Sequence, residues 1–177
     1  MTKALSRRPR LQSGALVYRF DRRNRREVLL VRKRRSKRWG IPKGTAEPHL
    51  SLAENAAKEV FEETGVTGVV EPHSVGTFRA VKRAPKGDRI LEIWVYLLRA
   101  TGSTKDFPES GERETKWVEC KKAARQIGEP VLAELCRQLD AGLLVDDVSD
   151  TATRAGSQEP AAIEAPSAPS KPSGGEA

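Results

Sequence analysis

The sequence predicts an α/β fold: a mixed β-sheet covered by helices on its faces. Two observations carry this. Apolar, β-prone runs come in pairs joined by polar turns, and a well-capped helical stretch separates one pair from the next. SGALVYRF (13–20) and EVLLVRK (27–33) flank the polar DRRNRR and read as a hairpin. WGIPKG (39–44) follows as a short strand or loop broken by Pro42. Ser51, with Glu54 three residues later, is a capping-box pattern that starts a helix, and Gly65 stands where a C-terminal stop is expected. A second strand pair is expected around Val75 to Val81 and Ile90 to Leu98, joined by KRAPKGD, and TKWVEC (115–120) reads as a last strand. KKAARQIG (121–128) suits a short helix. Pro130 suits the first turn of another, with Val131, Leu132, Leu135, Cys136 and Leu139 at helical spacing.

The chain has 177 residues, enough for one domain with a proper core and too few for two large ones. Residues 1–10 read as a basic N-terminal tail. From about Asp146 the sequence turns to Ala, Pro, Ser, Gly and Glu, and 146–177 is expected to be a disordered Ala/Pro/Ser-rich tail, because so few large apolar residues cannot offset the entropy of ordering. The domain between them spans 11–142.

Composition narrows the function classes. Hydrophobic residues make up 37% and charged residues 32%, and no apolar run reaches the roughly 18 residues a bilayer span requires. The segment MTKALSRRPRLQ is basic but lacks the apolar stretch of a secretory signal. Cys120 and Cys136 form no CxxC pair, and with His49 and His73 as the only histidines neither a zinc site nor a disulfide framework is indicated. Both histidines read as ordinary loop residues. A cytoplasmic protein is expected, with no membrane contact, as a monomer or homodimer.

Charge is unevenly placed. Residues 1–43 are net +14 and the remainder net −6, an asymmetry that suggests a basic surface beside an acidic site, facing an anion such as nucleic acid or polyphosphate. The acidic part concentrates in GTAEPHLSLAENAAKEVFEETGV, Gly44 to Val66. On a helix over Leu52 to Thr64, Glu59, Glu62 and Glu63 are related by i, i+3 and i+4 and share one face, while Ala53, Ala56, Ala57 and Val60 form an adjoining stripe suited to the core. Like charges so placed repel by a few tenths of a kcal/mol, a cost easily reversed by a hard cation among them. Magnesium, or manganese, is the expected ion. The competing reading of these glutamates alone is a solvated helix face.

The longer pattern decides between them. It resembles the box of the Nudix hydrolase family, G-x5-E-x7-R-E-U-x-E-E-x-G-U with U a bulky aliphatic residue; Gly44, Glu59, Val60, Glu62, Glu63, Gly65 and Val66 stand in register. The box departs at two positions. Leu50 stands where it has Glu, and Lys58 where it has Arg; Lys58 keeps the charge but not the planar fork of a guanidinium. Neither Glu47 nor Glu54 is in register to replace the carboxylate missing at Leu50. The resemblance extends over roughly residues 10–140, and RWGIPKG, WVYLL and GERETKWVE look most like the diphosphoinositol polyphosphate phosphohydrolase branch and its bacterial relatives.

The resemblance implies a Nudix-like α/β/α sandwich and a magnesium-dependent hydrolase cleaving a diphosphate bond in highly anionic substrates: diphosphoinositol polyphosphates, dinucleoside polyphosphates or inorganic polyphosphate. It implies metal held by Gly44, Glu59, Glu62 and Glu63, with Glu62 and Glu63 the main ligands and Glu59 a third ligand or the base. Glu112 or Glu114 is a weaker candidate for the base. A cationic rim for the substrate is expected from Arg10, Arg38, Lys43, Arg83, Arg89 and Arg113, whereas Arg22, Arg23, Arg25 and Arg26 belong to the surface of the hairpin turn. Trp39 could stack on a ligand or serve the core. Two other functions fit the same sequence. One is an RNA 5′-end pyrophosphohydrolase, disfavoured by an aromatic content of 5%; the other is a non-catalytic nucleotide- or RNA-binding module, disfavoured by the retained glutamates.

Overall fold

The computed structural model describes residues 8–85 and 87–144. The expected tail over 146–177 and most of the N-terminal one lie outside the described residues. In chain order the elements are β1 (Arg10–Phe20), β2 (Arg26–Lys33), β3 (Lys43–Thr45), α1 (Leu52–Thr64), β4 (Val66–Lys82), β5 (Arg89–Ser103), β6 (Arg113–Glu119), α2 (Cys120–Gln126) and α3 (Pro130–Asp140). The sheet runs β4-β5-β1-β2-β6, with β3 on β1; β1 and β5 are parallel and every other pair is antiparallel. The sheet is therefore mixed, as expected.

Period-2 alternation sorts the central strands between two cores. Ala15, Val17, Leu29, Tyr96 and Leu98 pack with Ala56 and Val60 of α1 on one face. Leu16, Tyr18, Val28, Leu30, Ile93, Val95 and Leu97 pack with Cys120, Leu132, Leu135, Cys136 and Leu139 of α2 and α3 on the other. The result is three layers, helix on sheet on helix. Both cysteines are free and buried, and burial pushes each thiol up to about 12.

One local feature positions everything that follows. β1 and β2 pair only at Tyr18, Arg19 and Phe20 before diverging, and the segment from Trp39 to Thr45 fills the gap. Gly40 exchanges both backbone hydrogen bonds with Val31 of β2 at 2.9 Å, Pro42 O accepts from Ala15 N–H at 3.2 Å, and Lys43, Gly44 and Thr45 pair with Gly14, Ser13 and Gln12. Gly14 permits this fit, since a Cβ there would stand 2.5 Å from Lys43 Cβ and from Pro42 O.

The hairpin, the α1 caps, Pro130 at the start of α3 and the short α2 all form as expected. The second strand pair is longer than its sequence signals. β4 begins at Val66, directly after α1, and β5 runs to Ser103. Register shifts between Thr67 and Gly68, and twice between Val70 and Gly76, break the alternation around Pro72 and so conceal the first half of β4. His73 accordingly lies in a strand rather than a loop. The last strand starts at Arg113, and Cys120 belongs to α2.

Candidate active site

α1 carries the acidic face and is held firmly at both ends. Ser51 Oγ accepts from Glu54 N–H, and Glu54 Oε2 accepts from Ser51 N–H at 2.8 Å; Gly65 closes the helix with φ of 70°. The helix is also tied to the sheet from within. Asn55 is fully buried and its Nδ2 donates to Ser13 Oγ at 2.9 Å, which fixes α1 against β1 beside the Gly14–Lys43 pairing.

Below the helix, β3 brings Gly44 against Glu59. A side chain at residue 44 would collide with the Glu59 carboxylate, so the close approach of strand and carboxylate requires glycine. Glu59 is raised above its ordinary value by burial first and then by the neighbouring Glu62. Glu63 is deeper, at 3% exposure, and burial pushes it up to about 7 although Arg113 and Lys43 oppose the shift. Lys43 is itself lowered by burial, against the pull of Glu63. Desolvation of the buried Glu63 and the half-buried Glu59 thus disfavours their charged forms, a cost that a cation would relieve.

The protein's own cations partly fill that need. Arg113 Nη2 lies 2.6 Å from Glu63 Oε1 and 2.8 Å from Glu109 Oε2, and Lys58 Nζ lies 2.7 Å from Glu62 Oε2. With Glu62 drawn toward Lys58 and Glu63 toward Arg113, no three acidic, Cys or His side chains among the described residues converge on one point. The donor set nevertheless suits a hard divalent ion. Its carboxylates are all oxygen donors, Glu63 is buried and Glu59 half-buried, and the glycine beneath leaves room for backbone approach.

Two hollows flank β3. The first, of about 280 Å³, is lined by Arg32, Lys33, Arg38, Lys43 and Arg113 together with the carboxylate of Glu63, with Ser36 and Trp39 in its wall. The second, of about 240 Å³, is lined by Arg10, Lys82 and Arg89 with Gln12 and Thr45, with no acidic side chain among the described residues. Arg38, Lys43 and Arg113 thus meet in one hollow, and Arg10 and Arg89 in the other. Arg83, exposed between Lys82 and Ala84, lines neither. Arg25 serves the surface, pairing with Asp21 at 2.7 Å and with Glu119. Trp39 packs on the core while its ring carries Lys116 Nζ at 3.8 Å and the Arg32 guanidinium at 4.6 Å.

The weaker base candidates are drawn elsewhere. Glu114 is held by Arg32, with Nη2 at 2.6 Å, and Glu112 is exposed in a turn. The loop carboxylate that does reach the site is Glu109, whose N–H donates to Glu62 O at 3.0 Å while its side chain accepts from Arg113 Nε at 2.8 Å. It sits in the polar stretch DFPESGE, which has no periodicity to mark it.

The structure thus sets helix-borne carboxylates beside a cationic hollow in a three-layer α/β fold. The NUDIX domain family model matches residues 10–139, and the chain belongs to that family, a Nudix hydrolase acting on phosphoanhydride bonds. It is 32% identical over 136 residues to diphosphoinositol polyphosphate phosphohydrolase 3-beta of Bos taurus, covering 74% of this chain and 78% of the bovine one. It is 31% identical over 145 residues to the mitochondrial Nudix hydrolase 12 of Arabidopsis thaliana, covering 72% of this chain and 66% of the plant protein. Among solved structures, a C. elegans Ap4A hydrolase binary complex superposes with a TM-score of 0.56 at 20% identity, over 76% of this chain and 97% of that one; this likeness speaks to fold.

Proposed function

We propose that the protein is a cytoplasmic, magnesium-dependent Nudix hydrolase that cleaves a diphosphate link in a compact, highly anionic substrate, of the kind represented by diphosphoinositol polyphosphates, dinucleoside polyphosphates or inorganic polyphosphate. The observation that supports this reading is the spacing of Glu59, Glu62 and Glu63 along α1, with Glu59 against Gly44 and Glu63 in the wall of the first cationic hollow. Glu62 and Glu63 are the main metal ligands, and Glu59 is the third or accepts the proton of the attacking water. When bound, the ion supplies neutralisation of phosphate charge and a more acidic water. Arg38, Lys43 and Arg113 on one side, and Arg10 and Arg89 on the other, hold phosphates that flank the cleaved bond. The water oxygen attacks one phosphorus, the bridging P–O bond breaks, and the departing phosphate leaves toward one of the hollows.

Aromatic side chains bear on the substrate class. Among the described residues Trp39 is the one aromatic in either lining, and Arg32 and Lys116 sit over its ring, which leaves little platform for a nucleobase. This favours phosphate recognition over base recognition, and so disfavours an RNA 5′ end.

The test is cleavage, with magnesium, of a panel comprising a diphosphoinositol polyphosphate, dinucleoside polyphosphates, inorganic polyphosphate, nucleoside triphosphates and triphosphorylated RNA, run beside Glu63→Gln. Cleavage of the first three classes that needs both magnesium and Glu63 is expected. Exclusive cleavage of RNA, or activity indifferent to Glu63, would overturn the proposal.

A further inference from the structure

Leu50 leaves the acidic box one carboxylate short, yet a carboxylate stands beside Lys58. Glu47 approaches from three residues earlier, with Oε1 3.0 Å from Lys58 Nζ, and the same Nζ lies 2.7 Å from Glu62 Oε2. Lys58 is thereby shared between a carboxylate assigned to the metal and one outside that set. The arrangement is built in from the backbone. Glu47 N–H donates to Asn55 Oδ1 at 3.1 Å, Asn55 is anchored in turn on Ser13 of β1, and Leu50 N–H closes a turn onto Glu47 O at 3.2 Å. The second Glu47 oxygen meets His49 Nε2 at 3.2 Å. Register counting had excluded Glu47 as a replacement for the missing carboxylate; the turn over Glu47–Leu50 carries it to Lys58 all the same.

We infer that Glu47 is a positioning residue: it parks Lys58 so that Glu62 can be given up to a magnesium ion. The inference rests on the reading of Glu62 as a metal ligand. Lys58 and the ion compete for the same carboxylate. With Glu47 present, Lys58 keeps one partner when Glu62 turns to the metal; without it, Glu62 is the remaining carboxylate of the pair and Lys58 holds on. All three side chains are about one-third exposed, at 36%, 33% and 30% for Lys58, Glu47 and Glu62, so the contribution is that of a modest ion pair rather than a buried one.

The experiment measures magnesium binding to the full chain by titration calorimetry, with no substrate present, for wild type, Glu47→Gln, Lys58→Met, the double variant and Glu63→Gln. Glu47→Gln is expected to raise the magnesium Kd by roughly three- to tenfold, the equivalent of a partly exposed ion pair. In the Lys58→Met background the same change is expected to leave Kd within about twofold, because the lysine is the intermediary. The magnesium needed for half-maximal activity should shift with Kd, while kcat at saturating magnesium stays within about twofold. An unchanged Kd in Glu47→Gln, or an undiminished effect when Lys58 is already methionine, overturns the inference alone, provided wild-type binding depends on Glu63. Magnesium binding indifferent to Glu63→Gln overturns the reading of the site and this inference with it.

Discussion

Glu63→Gln in the metal-free protein should make the fold more stable at alkaline pH, although it deletes an ion pair. Glu63 has an ordinary value of 4.5, which burial raises to about 7 in the folded chain. Between those two values the folded state binds more protons than the unfolded one, so stability falls as pH rises through that window and has lost its full increment above it. At about 1.4 kcal/mol per pH unit, the gap amounts to about 3 kcal/mol. Glutamine keeps the shape, carries no charge, and leaves Arg113 paired with Glu109. Urea unfolding in the presence of a chelator, from pH 4.5 to 8.5, should give curves that nearly coincide at the acid end and separate to about 3 kcal/mol by pH 8, with the variant higher. Saturating magnesium should reverse the order at pH 8 by stabilising wild type alone. Parallel profiles across the whole range, or a variant that is less stable at pH 8 without metal, would refute the argument that burial dominates Glu63.

Further outcomes follow from the packing. Gly44→Ala drives a methyl group into the Glu59 carboxylate, and kcat/KM should drop by about a hundredfold, with magnesium affinity measured calorimetrically falling alongside. Asn55→Ala strands the buried Ser13 Oγ and removes the partner of the half-buried Glu47 N–H; denaturation should show a loss of about 1–3 kcal/mol. Cys120 and Cys136, buried with thiols raised to about 12, should resist an aromatic disulfide reagent at pH 8 in the native protein and react at once in denaturant; labelling of the native protein at the rate of a free thiol would contradict their placement.

What the sequence discloses here depends on whether the cause is local. α1 is readable from Ser51, Glu54 and Gly65 because caps act within one turn of the chain, and the shared face of Glu59, Glu62 and Glu63 follows from helical spacing alone. α3 is readable from Pro130 for the same reason. Long-range causes leave no such mark. The strand status of Lys43 to Thr45 exists only because β1 offers an edge next to Ala15. The early half of β4 is hidden by its own bulges, since alternation is the signal that bulges destroy. The Arg113 to Glu63 contact spans 50 residues of sequence, and charge pattern marked both partners without linking them. Glu109 and Glu47 went unassigned because each is delivered by an irregular turn, whose side-chain directions no fixed period predicts.

The wedge between β1 and β2 separates what can vary from what cannot. Inserting one residue between Gly40 and Thr45 would slip the register on β1 and turn Lys43 and Gly44 to the wrong faces. The neighbouring loop over 34–38 is mostly exposed and contributes Ser36 and Arg38 to the first hollow; lengthening it costs only slowly growing loop entropy. The loop can therefore change without moving the strand that sets Lys43 and Gly44, although Lys43, Glu63 and Arg113 complete the wall of the same hollow. Residues 34–38 are thus the place where an engineer can reshape that hollow while the register of β3 on β1 stays as it is.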